Sequence, residues 1–183
     1  KESSAASDVY KRQTERAMKD RAQRAEEEWN REKPGLDAKV MATVGRLLEA
    51  AHLMEREKLS PLAAQFDLHK GEFDVIATLR RSGRPYVLTP TDLYEGLMLS
   101  SGAMTSRLDR LERSGLIERR PSPVDRRSIQ VQLTPAGLAL IDKVLPLHVA
   151  NEQQALAVLS LKEQRQLDEL LAKLIGGLKG GGD

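Results

Sequence analysis

Cysteine is absent from all 183 residues. That excludes disulfides, thiolate metal sites and cysteine nucleophiles, and it fits a reducing compartment. Aromatic residues are scarce, with one Trp, three Tyr and two Phe, fewer than a β-sandwich core or a base-stacking single-strand binder calls for. No apolar run approaches the roughly 20 residues a membrane helix needs, so no membrane partner is expected. No signal-peptide pattern opens the chain; it begins at Lys1 rather than Met, and a few preceding residues are expected. No two histidines stand at metal-ligand spacing, and without cysteine a zinc site is a poor reading. Gly-x-Ser-x-Gly, Walker and dinucleotide motifs are also missing, so the expectation is no enzyme, no catalytic residue, no metal and no cofactor. An excess of one charge is lacking too. The net charge is +2, so a nucleic-acid reading must rest on where the charges sit.

What is present is helical. Apolar residues make up 40% and charged residues 31%, a balance typical of a soluble domain with many exposed helical faces. Residues 1–35 form an N-terminal extension, with nine Lys/Arg and eight Asp/Glu up to Lys33. It reads as a solvated helix from about Asp8 to Arg31, stopped by Pro34-Gly35, or else as a charged tail. Trp29 favours the helix, because a lone Trp in such a segment tends to dock. From Leu36 the apolar residues Val40, Val44, Leu47, Ala51 and Met54 share one helical face. This helix should end near Lys58, and Ser60-Pro61 should cap and open the next. Another helix covers Lys70 to Arg81, and Tyr86-Val87-Leu88 reads as a short strand.

Thr89-Pro90-Thr91-Asp92 starts a short helix that stops near Gly96. A second follows from Ser101 to Ser114, terminated by Gly115. Two short helices joined by a tight turn are a helix-turn-helix. Leu116 to Arg120 and Ser128 to Leu133 then read as a β-hairpin with Val124-Asp125-Arg126-Arg127 at its tip. The fold class is therefore mainly α with a small β-hairpin wing, a winged helix-turn-helix over about 60–134. Thr134-Pro135 opens a long helix that Pro146 should kink. Ser160 and Glu163 form a capping box for the last one, where Leu167, Leu170, Leu171, Leu174 and Leu178 make an apolar stripe. The glycines from Gly176 on read as a loose end, with 180–183 a flexible tail. The stripes on 36–58 and 135–178 exceed what one small winged domain can cover. Homodimerisation through these N- and C-terminal helices is the economical solution, packing within one chain the alternative.

Ser100-Ser101-Gly-Ala-Met-Thr-Ser-Arg-Leu-Asp-Arg-Leu111, Gly115-Leu-Ile-Glu-Arg-Arg120, Asp125-Arg-Arg127 and Leu133-Thr-Pro-Ala-Gly137 together resemble the MarR family of bacterial transcriptional regulators, over roughly Leu36 to Leu178. The resemblance implies a cytoplasmic homodimer that binds pseudopalindromic double-stranded DNA, often as a repressor released by a small ligand, with a family-type domain over 36–179. A narrower likeness rests on Gly71-Glu-Phe-Asp-Val75 and Ser106-Arg-Leu-Asp-Arg110. It is to the urate-responsive, PecS- and HucR-type branch. That branch implies a ligand site of Trp29, Asp74, Arg107 and Arg119, with urate or a related purine as effector. The rival effector is a phenolic carboxylate such as salicylate. Rival functions are a winged-helix interaction module without DNA binding and a nucleoid-type binder without ligand control.

The residues carry parts of this directly. On the second helix Met104, Leu108 and Leu111 share the core face, and Ser106, Asp109, Arg110 and Arg113 lie opposite. Ser100, Ser101, Thr105, Ser106, Arg110 and Arg113 are the candidates for the major groove, Arg126 and Arg127 for the adjacent minor groove. Residues 100–130 hold seven Arg against four Asp/Glu. Arg107 lies off the DNA side, half-buried, and needs a carboxylate or an anion. Asp74 is the expected partner, either as a structural salt bridge or as half of an effector site. His52, near an apolar face, reads as a core or interface residue, with a pH-sensing pair across a twofold as the alternative.

Overall fold

Small residues decide how the N-terminal helices meet. In the computed structural model, which describes residues 20–97, 101–123 and 128–180, helix α1 (Arg21–Glu32) buries Ala22 and helix α2 (Ala38–Met54) buries Ala38 and Ala42. A Cβ added to Gly45 would meet Ala22 at 3.8 Å, so the backbones come close. Asp20 caps α1, accepting the Gln23 N–H at 2.6 Å. The same carboxylate takes Arg46 of α2 at 2.9 and 3.3 Å. Arg46 and the cap bond together hold Asp20 below the ordinary carboxylate range. Lys33 N–H closes α1 on the Trp29 carbonyl, and Gly35 (φ +92°) turns the chain toward α2, capped by Asp37. The stop at Pro34-Gly35 thus falls where expected, while the expected start near Asp8 lies outside the described residues. The chain divides into two compact units, Lys1–Glu55 and Arg56–Asp183.

The second unit opens with a correction. Glu55–Leu59 is a π-helical turn that runs directly into α3 (Ser60–Ala64). Ser60 was expected as an N-cap. It is instead the first helical residue, and Leu59 before it has helical φ and ψ and no side-chain cap. A cap is needed only where N–H groups lack a preceding turn, and here the preceding turn is helical. The Lys58 carbonyl in the π turn accepts from Asn151 Nδ2 at 2.7 Å.

Helices α4 (Glu72–Arg81), α5 (Pro90–Leu97) and α6 (Ser101–Arg113) surround a core of Val75, Ile76, Leu79, Leu93, Met104, Leu108 and Leu111. Strands β1 (Val87–Leu88), β2 (Ile117–Pro121) and β3 (Ile129–Leu133) form an antiparallel sheet in the order β1-β3-β2. Ile117 pairs with Leu133 and Arg119 with Val131, which turns Ile117, Val131 and Leu133 into the core. Pro121 falls on an edge strand, where its missing N–H costs no ladder bond. The winged helix-turn-helix expected from the pattern is therefore what the chain forms.

Local capping behaves as the spacing predicts. Thr89 and Asp92 bond reciprocally at the head of α5, with Thr89 N–H to Asp92 at 2.8 Å and Asp92 N–H to the Thr89 hydroxyl at 3.1 Å. Thr134 caps α7 (Pro135–Leu156) through the Gly137 N–H, and its hydroxyl donates to the Gly115 carbonyl at 2.7 Å. Gly137 is required sterically, because a Cβ there would run into the Leu116 carbonyl oxygen. α7 continues through Pro146. Ser160 and Glu163 form the expected box at α8 (Leu161–Gly180). The expected loose end is overturned in part, since α8 carries Gly176 and Gly177 and runs to Gly180. A glycine costs a helix only about 1 kcal/mol, and Leu170, Leu174 and Leu178 continue the helical pattern.

Candidate nucleic-acid interface

Helix α6 separates its two faces sharply. Met104, Leu108 and Leu111 are buried, while Gly102, Thr105, Ser106 and Arg113 are exposed. These three apolar side chains bind the helix inward, leaving a polar outer face of hydroxyls and a guanidinium group of the kind that enters a major groove. Ser100, Arg126 and Arg127 lie outside the described residues. Arg113 is exposed, with Nε donating to the Asp109 carbonyl at 3.2 Å.

Arg110, a candidate for the major groove, is tethered within the chain. Its Nε donates at 2.5 Å to Glu72 Oε1, and its Nη1 donates to the Ser106 hydroxyl at 3.1 Å. Glu72 is 2% exposed, and its other oxygen accepts the His69 N–H at 2.7 Å. The carboxylate that reaches from α4 to α6 deep in the structure is thus Glu72, which sequence reasoning missed. Asp74, the expected partner of Arg107, stands on the exposed side of α4 and has an interaction of its own.

Arg107 is held by backbone. Its Nε donates to the Lys70 carbonyl at 3.1 Å, and its guanidinium lies over Gly71, where a Cβ would come within 2.6 Å of Cζ. Gly71 also has φ +76°, so glycine serves this turn twice, in conformation and in space. Arg107 Nη1 is buried with no hydrogen-bond partner among the described residues.

Arg119, expected as an anion anchor, is held within the chain by two carboxylates. Its side chain donates at 2.9 Å from Nε and 2.5 Å from Nη2 to Glu112 Oε2, and Nη2 lies 2.7 Å from Asp109 Oδ1. Its backbone N–H donates to the other Glu112 oxygen at 2.9 Å. These bonds staple β2 to α6 and hold the Glu112 carboxyl below its ordinary range. Trp29 belongs to the other compact unit, on α1, and is 43% exposed. His52, expected in a core or interface, is exposed within the chain. His148, unremarked in the sequence, stacks on Phe73 with ring centroids 4.1 Å apart and lies 3.1 Å from Glu152. A hollow of about 260 Å³ opens between α5 and α6, lined by Pro90, Thr91, Tyr94, Met104, Thr105 and Leu108. Among the described residues no cluster fit to hold a metal is found, and no helix is long and apolar enough to cross a membrane.

Comparison with known proteins agrees with this geometry. The family model described as "MarR family" matches residues 66–128, which span α4 to the wing. The chain is 40% identical over 148 residues to the HTH-type transcriptional regulator PecS of Dickeya dadantii, covering 81% of this chain and 89% of that protein. A crystal structure of a MarR mutant from E. coli complexed with operator DNA superposes with a TM-score of 0.65 at 28% identity, over 80% of this chain and 96% of that one. The structure of Bordetella bronchiseptica BpsR, whose DNA binding is regulated by 6-hydroxynicotinic acid, gives a TM-score of 0.64 at 25% identity, over 72% of this chain and 91% of that one.

Proposed function

The chain belongs to the MarR family of DNA-binding transcriptional regulators, not to an enzyme family, and from that premise we propose that it is a cytoplasmic repressor released from a pseudopalindromic operator by a small anionic heterocycle, urate or a related oxidised purine. It acts as a homodimer. Leu167, Leu170, Leu174, Ile175 and Leu178 on α8 are exposed within the chain, and a stripe of this length is what a second copy covers.

The observation that carries the effector reading is Arg107 Nη1, on the recognition helix itself and buried without an acceptor among the described residues. Leaving such a donor unmade costs about 1–3 kcal/mol, and an enolate or carboxylate oxygen relieves that cost. Glu112 and Asp109 already hold Arg119 through Nε and Nη2, so an anion that takes those same donors displaces a carboxylate of α6. An effector that does so loosens the recognition helix from the wing, and DNA affinity falls to the extent that the ligand prefers the loosened arrangement. A 10- to 100-fold release needs about 1.4–2.7 kcal/mol of differential affinity, within ordinary coupling energies. That BpsR is regulated by a hydroxylated nitrogen heterocycle with a carboxylate supports the ligand class. The test is a titration of the protein–operator complex with urate, xanthine and salicylate, for wild type and Arg107→Ala. Release of wild type by urate and loss of that response in the variant is expected. Persistence of the wild-type complex in millimolar urate overturns the purine assignment.

A second reading keeps the repressor and changes the effector. The hollow between α5 and α6 is lined by Pro90, Tyr94, Met104 and Leu108, with two threonines. That lining suits the ring and hydroxyl of a phenolic acid, with its carboxylate left toward solvent, and release by salicylate but not urate favours it.

A further inference from the structure

The start of α4 and the turn before it grip two arginines of α6 at once, Arg107 through the Lys70 carbonyl and Arg110 through Glu72. Of these anchors Glu72 is the unusual one, a carboxylate 2% exposed with both oxygens engaged. We infer that Glu72 is a specificity-determining positioning residue: it fixes the guanidinium of Arg110 at the edge of the recognition helix, so that Arg110 reads a base edge rather than binding phosphate. This rests on the reading that the outer face of α6 enters the major groove.

Geometry and charge both support the assignment. Nε on Glu72 and Nη1 on the Ser106 hydroxyl hold the guanidinium plane at two points, while the side chain stays 35% exposed. The remaining N–H groups are thus presented in a set orientation at the surface. An arginine so held loses little freedom on binding, and a planar fork with a fixed plane suits the two acceptors of a guanine in the major groove. The carboxylate also offsets the positive charge of Arg110. A contact to phosphate draws on net charge, which Glu72 takes away; a contact to a base edge draws on direction, which Glu72 supplies.

The two roles separate experimentally. Glu72→Gln keeps the size and one of the two acceptor oxygens but removes the charge. On a duplex carrying the footprinted operator and a scrambled duplex of the same length, it should bind the scrambled duplex as well or better than wild type. Its operator-to-scrambled ratio should fall by about 10-fold, within the range a bidentate base contact supplies. The loss should map to one base pair per half-site, and Arg110→Ala should relax the same base pair. A merely structural Glu72 would weaken both duplexes alike, and that result, or an unchanged ratio, overturns the inference. If Arg110→Ala leaves operator affinity unchanged, the placement of Arg110 at the groove fails, and the inference with it. Arg110→Lys is the second route should Glu72→Gln not fold. It keeps the charge without the fork, so the ratio should fall similarly; an unchanged ratio overturns the inference.

Discussion

Replacing Arg119 by alanine removes a specific piece of wiring. The wild-type side chain makes two contacts to Glu112 Oε2 and one to Asp109 Oδ1. The variant keeps the backbone N–H of residue 119 on Glu112, so β2 is not released outright. What disappears is the cation between two carboxylates three residues apart on one helix face, which then repel. A single exposed pair contributes about 0.2–1 kcal/mol. Arg119 is 29% exposed and Glu112 36%, so the staple belongs somewhat above that range, at about 1–2 kcal/mol for the two-carboxylate network. In a chain of 183 residues that is a drop of roughly 2–8 °C in melting temperature.

The pH dependence gives this prediction its sign. Glu112 is depressed in the folded protein because Arg119 bonds it. A depressed carboxylate contributes stability above its unfolded value and loses it as pH falls through the folded one. The gap between wild type and Arg119→Ala should therefore be full at pH 7 and should narrow below about pH 4.5, the ordinary value for the group. Thermal unfolding at pH 7, 5 and 4 measures it, with Glu112→Gln as the partner in a double-mutant cycle. A gap equal at all three pH values, or additive effects of the two substitutions, refutes the staple. DNA affinity should fall as well, because the wing and the recognition helix lose their shared anchor.

Gly137→Ala should cost roughly 3 kcal/mol, since overpacking against backbone has nowhere to relax and the Leu116 carbonyl occupies the space; a wild-type melting temperature would contradict the close approach. Arg126→Ala and Arg127→Ala should each weaken operator binding and lower the slope of log affinity against log salt by up to about 0.9 per lost phosphate contact, and unchanged slopes in both would remove the wing from the interface. Trp29→Ala should change stability by no more than about 0.5 kcal/mol in thermal unfolding, as surface substitutions do, because the ring is nearly half exposed within the chain. Its loss of urate response, measured on the operator complex, would place the ring at the effector.

Local interactions were the legible ones. Thr89 with Asp92, Thr134 with Gly137 and Ser160 with Glu163 each close within three residues, so spacing alone identifies them. The buried face of α6 was equally legible from its period of 3.6. Ser60 misled because a cap motif is informative only if the helix before it stops, and here a π turn carries the helix onward. The ion pairs were not legible in the same way. With 29 Lys/Arg and 27 Asp/Glu in the chain, residue type cannot select partners, and Glu72 and Arg110 are 38 positions apart.

One signal was nevertheless present. Ile76 and Leu79 lie four and seven residues after Glu72, so the helical period places Glu72 on the same inward stripe as Val75, Ile76 and Leu79, all of which are buried. Two residues on, the same period turns Asp74 away from that stripe, and Asp74 is exposed. A carboxylate on an apolar stripe is costly unless something charged or polar meets it inside. That argument marks Glu72 as an acid that turns inward, and an arginine on a facing helix is one group that can meet it there. Arg107 and Arg110, one turn apart on α6, were the two candidates. Gly71 separates them: its missing side chain leaves room for Arg107 above the turn, and Arg110 is the one that meets the carboxylate.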